Sequence, residues 1–214
     1  MSALGKIGAV GAAAVGAGWL WWRRNPSACP YNQRFWVQAP HPFITRERLR
    51  EALAPQPGER LLEIGPGTGY YALPVADWLG PDGTLEVFDI QQDFLDHTTG
   101  RAREAGLENI VPTQGDAQSL PYEDDRFDGA YLATVLGEIP DQLAAVRELA
   151  RVVRPGGRIA VGELFGDPHM VTEGALRRHA DAAGLIFERR LGPPFGFFAV
   201  LRVPEAAATG PAPG

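Results

Sequence analysis

Short apolar runs alternate with helical patterns along most of the chain, and this alternation limits the possible fold more than any other feature. The runs at residues 60–64, 84–89, 127–132 and 158–162 have the length and the Gly, Pro or Asp boundaries of buried parallel strands, and Ile110-Val111 indicates another. Helical spacing of apolar residues occupies 43–53, 70–79, 92–105, 141–153 and 172–183. The order predicts a doubly wound α/β domain.

Two further strand-like runs, at 185–191 and 196–203, end the domain and are separated by Gly192, Pro193 and Pro194. This connection is too short for a parallel crossover, so the pair is predicted to be an antiparallel hairpin. The expected architecture is therefore a Rossmann-like, seven-stranded sheet that is mostly parallel and has a C-terminal antiparallel hairpin.

A glycine-rich turn follows the first predicted strand, with the sequence Glu63-Ile64-Gly65-Pro66-Gly67-Thr68-Gly69. Glycines allow the backbone to approach a ligand closely. The spacing is Gly-x-Gly-x-Gly and differs from the Gly-x-Gly-x-x-Gly fingerprint, which disfavours a nicotinamide-dependent dehydrogenase. Asp89 ends the next strand, where a ribose with two free hydroxyls would offer its donors, and Asp116 follows the third strand.

Five landmarks in register resemble the class I S-adenosylmethionine-dependent methyltransferases, over residues 60–162 and more loosely to 203. They are the glycine-rich turn, Phe88-Asp89-Ile90, Gly115-Asp116-Ala117, Phe127-Asp128, and Val153-Arg154-Pro155-Gly156-Gly157-Arg158. The resemblance implies S-adenosylmethionine as cofactor. It places Gly65, Gly67 and Gly69 under the methionine part, Asp89 at the ribose, Asp116 and Ala117 at the adenine, and Glu63 as a support for the loop. Ile90, next to Asp89, is a further expected cofactor-binding residue.

Methyl transfer from a sulfonium is an in-line displacement, so alignment and exclusion of water come first. A base is needed only for a hydroxyl or an acidic carbon, and Glu138, His169 and Glu163 are the candidates. Glu138 could equally be a helix-start acid, and His169 a surface loop residue. Tyr70 or Tyr71, directly after the glycine-rich turn, could stack near the sulfonium or serve packing alone.

Charge and cysteine content exclude other classes of function. A net charge of −6 and a pI near 5.3 argue against nucleic-acid binding. The four histidines have no metal-ligand spacing and Cys29 is the sole cysteine, so no metal site is predicted and a reducing cytosolic setting fits best.

The N-terminal segment has the composition of a membrane anchor. Residues 7–22 carry no charge and end in Trp21-Trp22 before Arg23-Arg24, so residues 1–24 are predicted to anchor the catalytic domain on the cytoplasmic side of a membrane. Small residues at Gly8, Ala12 and Gly16 permit a homodimer through this helix. The alternatives are a cleaved signal peptide and an amphipathic or disordered tail.

The remaining regions complete the predicted organisation. Residues 25–43, rich in aromatics and proline, form either an acceptor-side lid or a hydrophobic strap; residues 44–203 form the methyltransferase domain, and 204–214 a disordered tail. The expected acceptor is membrane-associated, such as an aminophospholipid headgroup or an isoprenoid quinone. The alternatives are a soluble small-molecule methyltransferase and a noncatalytic scaffold that binds the cofactor.

Overall fold

The computed structural model describes residues 26–33 and 41–205. The seven strands are β1 (Arg60–Ile64), β2 (Thr84–Asp89), β3 (Ile110–Gln114), β4 (Phe127–Ala133), β5 (Val153–Leu164), β6 (Ile186–Leu191) and β7 (Gly196–Arg202). The helices are α1 (Arg46–Leu53), α2 (Ala72–Leu79), α3 (Gln92–Glu104), α4 (Gln142–Val152) and α5 (Glu173–Ala182). Short 3-10 helices lie at Tyr31–Gln33 and Leu136–Glu138.

The strands form one sheet in the order β3-β2-β1-β4-β5-β7-β6. Strands β1 to β5 are mutually parallel, whereas β7 is antiparallel to both β5 and β6. The predicted seven-stranded sheet with its antiparallel C-terminal hairpin is confirmed. The strand order reverses between β1 and β4, and open α/β sheets bind ligands at such a reversal.

Two apolar layers cover the sheet because side chains alternate between its faces along each strand. Leu62 and Ile64 of β1 join the layer that contains the buried residues of α4 and α5. Leu61 of β1 joins the opposite layer with α1 and α2. Helices on both faces explain why the strands are almost continuously apolar.

Three helices begin at side-chain caps that lie inside or at the edge of the predicted segments. The side chains of Thr45, Asp141 and Thr172 accept the backbone N–H three residues later, so α1, α4 and α5 start at the following residue. The predicted helix at 43–53 was therefore too long at its N-terminus, since Thr45 has an extended backbone.

The fifth strand is longer than predicted. The sequence indicated a strand at 158–162 with a tight turn at Pro155-Gly156-Gly157, but β5 begins at Val153. Its pairing with β4 shifts register between Phe127 and Gly129, which accommodates the extra residues. Gly156 N–H donates to the Val203 carbonyl, and Val203 N–H donates to Gly157. The segment thus continues along the end of β7.

A buried ion pair joins α1 to the sheet at the edge opposite the carboxyl ends of the parallel strands. Arg158 donates from Nη1 and Nη2 to the two carboxylate oxygens of Glu59, at 2.6 and 2.5 Å, and from Nε to the Leu53 carbonyl at 2.6 Å. Arg158 is 8% exposed. This network fixes the end of α1 against β5.

Several predicted features fall outside the described residues. These are the anchor at 1–24, Phe35 and Trp36 of the aromatic segment, and residues 206–214 of the tail. Within 26–33 and 41–205, no helix combines the length and the hydropathy required to cross a bilayer.

Candidate active site

A cavity of about 350 Å³ opens at the carboxyl edge of the sheet, where the strand order reverses. Its walls come from the glycine-rich turn after β1, the end of β2, the loop after β3, and the segment after β4. Residues 27–29 form a further wall. Most of the predicted cofactor residues therefore meet around one space.

The glycine-rich turn needs its glycines for two different reasons. All three have left-handed backbones, with φ of +68° at Gly65, +55° at Gly67 and +78° at Gly69. Gly65 and Gly67 line the cavity, and a Cβ at Gly65 would lie 2.5 Å from a methyl of Val135. Gly69 lies outside the cavity wall, and a Cβ there would lie 2.7 Å from Leu73 Cδ1 of α2. The first two allow close approach and the third allows helix packing.

Glu63 lies in β1, directly before the turn and outside the cavity wall. Its side chain is buried, with 2% of the residue exposed, and burial raises the pKa of its carboxyl to about 8. Its role as a support for the glycine-rich turn stays a prediction.

The end of β2 presents an acid to the cavity. Asp89 lines the cavity and accepts the Gln91 N–H at 2.8 Å, and burial raises the pKa of its carboxyl to about 6. At neutral pH this carboxyl is mostly ionised and can accept two hydroxyl donors of a ribose. Ile90 also lines the cavity and is 55% exposed, so it lies at the mouth.

The loop after β3 adds Gly115, Asp116 and Ala117 to the wall. The Asp116 carboxylate accepts the backbone N–H of Gln118 at 2.9 Å and its side-chain amide at 2.8 Å. Asp116 therefore holds the loop in shape as well as facing the cavity. Apolar atoms of Ala117, Phe88 and Phe94 in the same wall suit the faces of a planar base.

Glu138 is the one candidate base that reaches the cavity. It belongs to the 3-10 helix Leu136–Glu138, and its Oε2 accepts the Cys29 N–H at 3.1 Å. The pKa of this carboxyl is raised to about 8, chiefly by burial and also by Asp167 and Asp89, while the hydrogen bond from the Cys29 N–H lowers it. A carboxyl with this pKa is a stronger base when ionised than an exposed glutamate, and it can exchange a proton near neutral pH.

The structure places His169 and Tyr70 away from the cavity wall. His169 is 8% exposed, and its backbone packs so tightly on Gly137 that a Cβ at Gly137 would overlap the His169 carbonyl. The Tyr70 ring lies 4.2 Å below the Arg46 guanidinium and 4.7 Å from the Tyr71 ring. Neither side chain lines the cavity, so the catalytic roles predicted for them stay predictions.

Glu163, the third candidate base, is also removed from the cavity. It is 1% exposed, and its Oε2 accepts the Val171 N–H at 2.9 Å. Burial raises the pKa of its carboxyl well above the ordinary range. It fixes the loop that packs His169 against Gly137.

The segment before the domain crosses the cavity. The Cys29 carbonyl accepts a hydrogen bond from the Gln91 side chain at 2.9 Å, while its N–H binds Glu138. Tyr31 packs edge-on against Phe94, with ring centroids 5.1 Å apart. The described part of the aromatic segment thus connects the cofactor side of the cavity to the Glu138 side.

Sequence reasoning missed several wall residues, among them Gln91, Phe94 and Val135. The position of Phe94 in the first turn after Asp89 was a usable signal, because that turn begins at the same sheet edge. Val135 follows Thr134, whose φ of +57° is unusual for a residue with a side chain. Composition gives no sign of that conformation.

The residues present fit S-adenosylmethionine. Gly65 and Gly67 leave space that a side chain would fill, Asp89 supplies acceptors for a diol, and the adjoining apolar surface suits a base. The same cavity continues to Glu138, so a donor and an acceptor can meet within it.

The fold is shared with solved methyltransferases. A SAM-dependent methyltransferase from Aquifex aeolicus superposes with a TM-score of 0.73 at 18% identity, covering 82% of this chain and 98% of its own. The [4+2]-cyclase SpnF superposes at 0.66 with 22% identity, covering 75% and 80%. Because the second protein is named for a different reaction, the fold alone does not determine the chemistry.

Sequence comparison is more specific. Demethylmenaquinone methyltransferase from Staphylococcus aureus strain JH9 is 31% identical over 116 residues, which are 54% of this chain and 47% of that protein. The chain thus matches about half the length of its curated relatives. The ubiE/COQ5 methyltransferase family matches residues 41–175, which contain the whole cavity except residues 27–29. The chain therefore belongs to the ubiE/COQ5 methyltransferase family.

Proposed function

We propose that the chain methylates a ring carbon of an apolar, membrane-borne hydroxy-aromatic acceptor of the demethylmenaquinone class. The observation that carries this proposal is Glu138, a half-buried carboxyl beside the cofactor residues in one cavity. The name of the Staphylococcus aureus relatives supports the acceptor class.

A carboxyl in this place suits a carbon acceptor better than an amine. An amine attacks with its own lone pair, so positioning is sufficient, whereas a ring carbon beside a hydroxyl needs a proton removed. S-adenosylmethionine, when bound, supplies the electrophilic methyl group. Glu138 accepts the proton that the acceptor loses, and Asp89 and the glycine-rich turn hold the cofactor in register. Residues 27–29 exclude water from the cavity.

The membrane part of the proposal is supported by the uncharged stretch at 7–22 and the tryptophans and arginines that end it. An acceptor with an isoprenoid tail would remain in the bilayer while its ring enters the cavity. A soluble acceptor would need no such segment.

The test is methyl transfer by the full chain from labelled S-adenosylmethionine to a reduced demethylnaphthoquinol with a short isoprenyl tail, followed by mass spectrometry. Asp89→Asn should weaken cofactor binding and abolish turnover at low cofactor concentration, because the diol loses a charged acceptor. Asp93→Asn is the matched control, since Asp93 is exposed at the start of α3.

Other outcomes separate the alternatives. Methylation of an aminophospholipid or of a water-soluble amine, with none of the quinol, would replace the proposed acceptor. Cofactor binding without turnover on any of these acceptors would favour a noncatalytic scaffold.

A further inference from the structure

Two large aromatic side chains are exposed at the sheet edge that carries the cavity. Phe165 is 77% exposed and Phe195 is 48% exposed. Phe165 follows β5 and Phe195 precedes β7, and the Phe165 N–H donates to the Phe195 carbonyl at 2.7 Å. The two loops are therefore joined to each other.

The strand pairing places both residues at the sheet edge where the cavity opens. Leu164 at the end of β5 is paired with Gly196 at the start of β7. Strands β4 and β5 are parallel, so the end of β5 lies at the same edge as the cavity. The loop after β5 also packs against the 3-10 helix that carries Glu138, since a Cβ at Gly137 would overlap the His169 carbonyl oxygen.

The two loops are apolar next to the aromatic rings. Residues 192–198 read Gly-Pro-Pro-Phe-Gly-Phe-Phe, and 164–166 read Leu-Phe-Gly. Phe43 packs on Gly196, and its ring meets that of Phe195 edge-on at 4.9 Å. Two charged groups lie near these rings. Asp167 is half-buried in the loop after β5. The Arg48 guanidinium donates to the Phe43 carbonyl and lies beside Gly192. Protruding aromatic rings with an arginine beside them suit the interface of a lipid bilayer, where such side chains are favoured.

The chain outside the described residues enters at this edge. Pro26 is the first described residue and directly precedes the cavity wall at 27–29. Trp22, the last residue of the uncharged stretch, is four residues earlier, so covalent geometry limits it to roughly 14 Å from Pro26. Any bilayer that takes up residues 7–22 must lie close to the cavity mouth.

We infer that Phe165 and Phe195 form a docking face that inserts into the headgroup region of a lipid bilayer and turns the cavity mouth toward the membrane. This inference rests on the proposed function, since it explains how a membrane-borne acceptor reaches Glu138 without leaving the bilayer. The inference adds to the proposed function the protein surface that contacts the bilayer.

The test is hydrogen–deuterium exchange of the full chain with and without phosphatidylcholine vesicles, in the absence of any acceptor. Amides in 164–167 and 195–197 should exchange about tenfold more slowly on vesicles. The double variant Phe165→Ser/Phe195→Ser should lose this protection and bind vesicles about tenfold more weakly. Both side chains are exposed, so cofactor binding should be unchanged.

Val111→Ser/Ile186→Ser is the matched control. Val111 is 44% exposed and Ile186 is 55% exposed, and both lie at the opposite edge of the sheet, near the starts of β3 and β6. This variant should keep full vesicle protection at the two loops. Equal loss in both variants would indicate nonspecific adsorption and overturn the inference.

Three other results would also overturn it. Vesicles could leave exchange of both loops unchanged. Protection could appear without vesicles and grow with protein concentration, which would assign the face to a second copy. A parallel run with the short-tailed demethylnaphthoquinol and no vesicles could give the same protection, which would assign the face to the acceptor tail. Turnover of the short-tailed demethylnaphthoquinol is measured without vesicles and is independent of all these results. Failure of the docking face and failure of the proposed reaction are therefore distinguishable.

Discussion

The pH dependence of methyl transfer tests the role of Glu138 directly. Burial raises the pKa of this carboxyl to about 8. If its ionised form accepts the proton of the acceptor, about 9% of the enzyme is active at pH 7 and about 91% at pH 9. The value of kcat/KM should therefore rise about tenfold between these two pH values, and fall about tenfold for each unit below pH 7.

The assay is initial-rate kinetics from pH 6 to 9.5 with saturating cofactor and the soluble quinol. Glu138→Gln keeps an acceptor for the Cys29 N–H but cannot accept a proton, so it should lower kcat/KM by about a hundredfold or more and flatten the profile. Glu104→Gln, at an exposed position, should keep the wild-type profile. A rise that survives in Glu138→Gln would belong to the acceptor hydroxyl, and the assignment of Glu138 as base would be refuted.

Three further outcomes follow from the fold. In urea denaturation, Gly65→Ala should lower the free energy of unfolding by about 2 to 4 kcal/mol, because the left-handed backbone and the overlap with Val135 both oppose a methyl group. The control is Gly184→Ala, where φ is +73° but the space is open, and it should lower the free energy of unfolding by about 1 kcal/mol. The free energy of unfolding should fall as pH rises from about 4.5 to 8, because folding raises the pKa of Glu63 and the folded protein keeps its proton over this range. Glu63→Gln should reduce this slope by up to about 1.4 kcal/mol per pH unit, measured by urea denaturation at several pH values. Glu59→Gln leaves the buried Arg158 guanidinium without its carboxylate, so it should lower the free energy of unfolding by about 3 kcal/mol in the same assay. A loss of less than about 0.5 kcal/mol would show that this ion pair does not stabilise the fold.

Strand positions were predictable where apolar runs had clear boundaries. Strands β1 and β2 match their predicted residues, because a buried parallel strand must be apolar throughout and must end where the chain turns. The start of β5 was missed because Pro155-Gly156-Gly157 has the composition of a turn. Its place in β5 depends on pairing with the end of β7, about 45 residues later in sequence, which no local pattern can indicate.

The cofactor half of the site was predictable for a similar reason. Asp89 and the glycine-rich turn are fixed by their position at strand ends, so their place in the fold follows once the strands are known. His169 and Glu138 also follow strand ends, yet only Glu138 reaches the cavity. The loop after β5 accounts for this difference between His169 and Glu138. Glu163 accepts the Val171 N–H and so fixes this loop, and His169 in the loop packs on Gly137.

The two halves of the site are joined by one residue outside the matched family region. Cys29 accepts a hydrogen bond from Gln91, next to the cofactor acid, and donates one to Glu138. A donor to the carboxylate favours its ionised form, which opposes the effect of burial on its pKa. The Cys29 N–H occupies Oε2, so an acceptor hydroxyl that approaches Glu138 can meet Oε1 without displacing Cys29. Because the same residue also holds Gln91, a change at Cys29 affects both the cofactor side and the Glu138 side of the cavity.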